Sequence, residues 1–179
     1  AVNPNTNPIT DNQSSVSYLK TAGNKFATQI FPIASFSKNQ DGKTLSELFD
    51  LKQNGAVAFG DYKKPIRNTA LLKIGLQYAQ RFNGLIISNP TDMNIGDQGG
   101  VHEGEISTRN GLLGSPSLSE ILQIQRDVAV LEYTGGKLHI PCLSSAEGVE
   151  LIRKAKKKGL NLTCSVALAN LVFTDEELV

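Results

Sequence analysis

Residues 99–120, GGVHEGEISTRNGLLGSPSLSE, decide how the chain is read. The first part is rich in glycine and poor in apolar residues, so it reads as a long loop. Connections of that length without structure of their own are uncommon and are often functional. The second part reads as a strong helix start. Ser117 and Glu120 have the S-x-x-E spacing of a capping box. Ile121, Leu122, Ile124, Val128 and Leu131 then recur at helical spacing. The loop is expected to be exposed, with Val101, Leu112 and Leu113 outside the core.

Outward from this stretch, short apolar segments alternate with amphipathic ones. Strand-like runs are 26–35, 56–59, 84–88, 137–143 and 161–166, and residues 1–8 read as the end of a strand with its Asn/Pro-rich loop. Helical patterns run from a cap at Thr10 or Asp11 to about Ala22, over 44–53, from an Asn68 cap to about Phe82, over 117–134 and over 146–158. This alternation predicts an α/β protein with a parallel sheet and helical crossovers. An open doubly wound sheet and a TIM-type barrel both fit it.

With 40% hydrophobic and 20% charged residues, the 179-residue chain has the composition of a globular domain with a substantial core. A formal net charge of +1 gives no sign of a nucleic-acid or membrane partner. The basic run RKAKKK at 153–158 falls late in a predicted helix, where it complements the helix dipole and needs no phosphate ligand. Cys142 and Cys164 fall in predicted strands. They are expected as buried, reduced, unbridged thiols, in keeping with a cytoplasmic location. No apolar run approaches transmembrane length. The chain opens on Ala1 and not on Met, so a native N-terminus is not assumed.

The pattern G-G-x-x-E-G-x-x-S-T-R-x-G-L-x-G-x-P within 99–116 resembles the loop after the fifth strand of dihydroorotases, in the amidohydrolase superfamily. Pro4-Asn5-Thr6-Asn7-Pro8 resembles that family's P-N-T-x-P signature. Residues 55–61 resemble its fourth strand, 84–92 its fifth, 137–145 its sixth and 159–171 its seventh. The resemblance covers nearly the whole chain and is nearest to the metal-dependent type with a bridging Asp. It implies a partial TIM-type (β/α)8 barrel: one domain over 1–179, incomplete at both ends, holding strands two to seven of eight. A complete barrel takes about 250 residues. Open sheet edges are aggregation hazards, so completion by another copy, another chain or a further segment is expected.

The resemblance also implies zinc and the hydrolysis or closure of the cyclic amide of dihydroorotate, with the metal polarising the carbonyl and supplying hydroxide. The family's ligand positions carry other residues here. No His-x-His is present; the histidines are His102 and His139. Tyr62 stands at the bridging-Asp position beside Asp61, Asn89 at the His of the fifth strand and Cys142 at the His of the sixth. Leu168-Ala169-Asn170 replaces the P-H-H of the seventh, and the catalytic Asp belongs to the eighth. A phenol and a carboxamide are poor zinc ligands at neutral pH. The expectation is therefore a degenerate copy with no catalytic residue, no metal and no cofactor, serving as a scaffold, for example for aspartate transcarbamoylase. Asn5, a substrate-holding position of the family, is retained, and also reads as a turn residue between prolines. One alternative is an active zinc-dependent cyclic-amide hydrolase with its missing ligands outside this sequence. Another is a small-molecule-binding barrel using Asn5 and the long loop.

The remaining polar residues have structural expectations. Strand alternation sets His139 opposite Cys142, hence toward the helices. His102 reads as a surface histidine, and Asp61 and Asp92 as loop hydrogen-bonders. The glycine-rich run 96–100 does not read as a phosphate cradle.

Overall fold

The computed structural model describes residues 1–96 and 100–178. In chain order the elements are α1 (Gln13–Gly23), β1 (Ile33–Ala34), α2 (Leu48–Gln53), β2 (Ala58–Phe59), α3 (Thr69–Ala79), β3 (Leu85–Ile87), α4 (Met93–Gly96), β4 (Val101–His102), α5 (Glu105–Arg109), β5 (Gly114–Ser115), α6 (Ser117–Thr134), β6 (Lys137–Ile140), α7 (Ala146–Lys157) and β7 (Leu162–Cys164).

The main sheet is parallel, in the order β1-β2-β3-β6-β7. Val2 adds a parallel bridge to Pro32, outside β1. Strand order follows chain order throughout. A doubly wound sheet reverses its order at a switch point and carries helices on both faces. Here α3, α6 and α7 stand side by side on one face. In-register residues Ala34, Phe59, Ile86, Leu138 and Leu162 point to that face, each 3% exposed or less. They form one core with Leu72, Leu76, Ile124, Leu131 and Ile152 from the helices. The other face carries Ile87, His139 and Thr163 in register and, among the described residues, no helix layer. A one-sided, sequentially ordered parallel sheet is an arc of a barrel wall, as the resemblance implied.

Local chemistry accounts for the helix ends. Asn68 caps α3, its side-chain oxygen accepting from the N–H of Ala70 and Leu71. Ser145 caps α7 through the N–H of Gly148. At α1 the cap is Asn12, bonded to the N–H of Ser15, and not Thr10 or Asp11. Thr10 is buried against Thr6, and Asp11 accepts from the N–H of Asn39. The helical pattern over 44–53 yields only α2, because Leu45 and Ser46 are drawn into backbone pairing with Ser37 and Phe36.

Between β3 and α6 the chain is not a bare loop. The two-residue strands β4 and β5 pair in parallel around α5. Gly114 permits this approach: a Cβ there would lie 2.5 Å from the Glu103 Cα. Val101 is half-buried, and Leu112 and Leu113 are 41% and 60% exposed, as expected of a surface element. Positions 97–99 of the glycine-rich run lie outside the described residues. Among the described residues no helix is long and apolar enough to cross a membrane.

Candidate functional site

A groove of about 870 Å³ opens at the carboxyl ends of β3 and β6 and beneath the parallel β4–β5 pair. This is the end of a parallel barrel wall where function is placed. Asn89 and Cys142 line it, so two of the three substituted ligand positions lie together, and Asn170 joins them. His102 and Glu120 also line it. Tyr62 and Asn5 are not among its walls.

The backbone explains each placement. β6 ends at Ile140, and Cys142 then takes a left-handed conformation, φ 53°. That turn breaks strand alternation and exposes the thiol, against the expectation of a buried cysteine. His139 is corrected with it. Leu138 and Ile140 point into the helix layer, so His139 lies on the open face of the sheet. Its Nδ1 is 2.9 Å from the Thr163 hydroxyl and its Nε2 3.2 Å from that of Ser165. Burial there holds its pKa below the ordinary histidine value. Both cysteines are free, and Cys164 packs partly against the core.

Asn89 donates its amide to the carbonyl of Lys63, which ties the end of β3 to the loop after β2. Tyr62 is left-handed, φ 61°, and 39% exposed, with the Lys63 ammonium 5.8 Å from its ring. Asp61 is buried and accepts from the Ser35 hydroxyl and from the N–H and hydroxyl of Ser37, a structural tie between strand ends. Asp92 accepts from the main-chain and side-chain nitrogens of Asn94 and so closes the first turn of α4. Asn5 is exposed in its loop, and His102 is exposed on β4.

Glu120 was missed as a site residue. The capping box does not form: α6 starts after Pro116 with no side-chain cap. The buried Glu120 carboxylate instead accepts four hydrogen bonds, from the N–H and hydroxyl of both Ser144 and Ser145. It thereby fixes the loop from β6 into α7, the floor of the groove. The serine pair directly after a strand, combined with an acid at a helix start, was the available signal. A second buried acid, Asp127, is held by Ser88 and Arg126. Burial pushes its carboxyl above the usual range against the opposing pull of Arg126.

The donor set does not fit a catalytic zinc, which takes about three His, Cys or carboxylate ligands. Among the described residues no three such side chains are grouped to hold a metal. Glu120 is committed to four donors, and Asn89 and Asn170 offer only amide oxygens.

The sheet order, the single helix layer and the groove at the strand ends define the wall of a TIM-type barrel. The L-hydantoinase (dihydropyrimidinase) of Arthrobacter aurescens shares this fold with a TM-score of 0.77 over 97% of this chain and 40% of its own, at 19% identity. The model of the family described as dihydro-orotase-like matches residues 1–148, and the chain belongs to that family. Proteins named dihydroorotase from Pelotomaculum thermopropionicum and Syntrophus aciditrophicus are 39% and 41% identical to it, over 98% and 97% of the chain. The chain spans 41% of the length of each of these relatives.

Proposed function

We propose that this is a dihydroorotase-like protein of pyrimidine biosynthesis that has lost its metal site and acts as a structural partner in the cytoplasm. The observation that carries the reading is the groove itself. It gathers Asn89, Cys142 and Asn170, one thiol and two amides, and among the described residues neither these nor the His102, Glu120, Glu147 and Asp175 that also line it group into a metal-binding set. Aspartate transcarbamoylase, which makes the substrate for dihydroorotase, is the proposed partner. The barrel, one domain open at both edges, is completed by another copy, another chain or a further segment.

The experiment is elemental analysis of the chelator-free protein, with dihydroorotate hydrolysis and co-purification with aspartate transcarbamoylase. No stoichiometric zinc, no turnover and a stable complex are expected. One zinc per chain, lost together with hydrolysis on Cys142→Ala, overturns the reading.

The identity to proteins named dihydroorotase favours a second reading, an active cyclic-amide hydrolase with further ligands supplied from outside these residues. Turnover that persists in Cys142→Ala supports it.

A further inference from the structure

We infer that Asn110 is a deamidation site, where the folded chain converts an amide to aspartate or isoaspartate and so loosens the roof of the groove. Three Asn-Gly pairs are present, Asn54-Gly55, Asn83-Gly84 and Asn110-Gly111. In such a pair the glycine nitrogen can attack the asparagine Cγ, because glycine has no Cβ to obstruct the approach. The nitrogen gives its proton to solvent, the new C–N bond closes a succinimide, and the side-chain nitrogen leaves as ammonia. Water then opens the ring at either carbonyl, giving aspartate or isoaspartate. No oxidant or reductant is consumed.

Ring closure needs the asparagine Cβ and the glycine nitrogen nearly eclipsed about the Cα–C bond. The ψ angles of Asn54, Asn83 and Asn110 are 1°, 35° and 4°, so at each pair that bond must turn first and the glycine N–H must leave its acceptor. The cost differs among the three. Asn54 is half-buried and held at both ends of its amide: the oxygen accepts from the Ser17 hydroxyl at 2.8 Å, and the nitrogen donates to the Asp50 carbonyl at 2.8 Å. Asn83 is exposed, but Gly84 is buried, donates to the Ala79 carbonyl at 2.8 Å and leads directly into β3, the central strand. Asn110 and Gly111 are both exposed. The Asn110 nitrogen donates to the Ile106 carbonyl, and its oxygen accepts no hydrogen bond among the described residues. The Gly111 N–H reaches the Thr108 carbonyl at 3.2 Å, and the space around the Gly111 α-carbon is open. Only the end of the five-residue α5 has to open, and local openings of that kind cost least.

Both products act on the same element. A carboxylate at Asn110 stands at the negative end of α5 and lacks the donor to Ile106. Isoaspartate also adds a methylene to the main chain between α5 and β5. The β4–β5 pair, closed by the Glu103 N–H on the Ser115 carbonyl at 3.0 Å, is loosened by the change. Val101, His102 and Ser115 of that pair line the groove. The reacting pair and its supports lie within residues 101–115, away from both edges of the main sheet, and the inference is independent of the metal site.

Incubation of the full chain at neutral pH, followed by peptide mapping in a mass spectrometer, tests it. The peptide holding Asn110 is expected to gain the mass difference between –NH2 and –OH first, while those holding Asn54 and Asn83 stay unchanged. Labelling by an isoaspartyl methyltransferase identifies the isoaspartate. In urea all three pairs should convert at comparable rates, because the fold makes the selection. Asn110→Gln, whose longer side chain closes a ring less readily, should abolish the early conversion. The converted protein, separated by its extra negative charge, should exchange the Glu103 amide hydrogen about tenfold faster than the unconverted protein. Conversion at Asn54 or Asn83 as early as at Asn110, an Asn110 that stays intact where the urea-unfolded chain converts, or Glu103 exchange that is unchanged overturns the inference.

Discussion

Glu120 holds Ser145 twice, accepting from its N–H at 2.9 Å and from its hydroxyl at 2.6 Å. The other carboxylate oxygen does the same for Ser144. Glu120→Ala removes a charged acceptor from buried donors and is expected to cost about 2–3 kcal/mol. Glu120→Gln keeps one oxygen and should cost about half of that. Urea unfolding at constant m-value reads both. A loss in Glu120→Ala within error of zero means that water replaces the carboxylate freely.

His139 gives the fold a pH dependence of known sign. Burial lowers its folded-state pKa below the ordinary histidine value of about 6.5. Between the two values the unfolded chain binds the extra proton, so stability rises with pH. The contribution is whole above about 6.5 and declines as pH falls below it. His139→Gln lacks this proton, so the stability difference between wild type and variant should shrink on acidification. A difference that stays constant from neutral to acid pH contradicts the assignment.

The thiols should react in sequence. Cys142 is exposed after its left-handed turn, and Cys164 packs partly against the core. A disulfide-exchange dye should titrate one thiol rapidly, and Cys142→Ser should abolish that phase. Two thiols reacting at one rate would falsify this placement.

Gly75 is a packing site on α3. A Cβ there would lie 2.3 Å and 2.5 Å from ring atoms of Phe36, whose side chain is fully buried. Gly75→Ala gains helix propensity of about 1 kcal/mol, but overpacking costs about 1–3 kcal/mol. A net loss is expected. Combining it with Phe36→Leu should recover part of that loss, a coupling that a double-mutant cycle measures.

Features set by near neighbours were legible in the sequence. Asn68 caps α3 and α6 spans 117–134, because both depend on residues within one or two turns. The parallel arrangement followed from element alternation, while the choice of barrel over doubly wound sheet needed the family resemblance. What could not be read was decided across the chain. Glu120 has the spacing of a cap, yet residues 24 and 25 positions away claim its oxygens. Strand alternation places Cys142 and the family resemblance places Tyr62, but both sit in left-handed turns that neither reading foresees. Alternation counted through the left-handed turn at Cys142 turns His139 to the wrong face. The β4–β5 pair is two residues long on each side, too short for any periodicity to show.

Strand order that follows chain order has a consequence for growth and loss of the fold. Each strand–helix unit touches mainly the unit before it and the unit after it, so the arc resembles a one-dimensional array of nearest-neighbour couplings. Removing an outermost unit forfeits one coupling and leaves the interior ones intact. Adding a unit gains one coupling at whichever end receives it. Such an arc can be shortened or extended in steps.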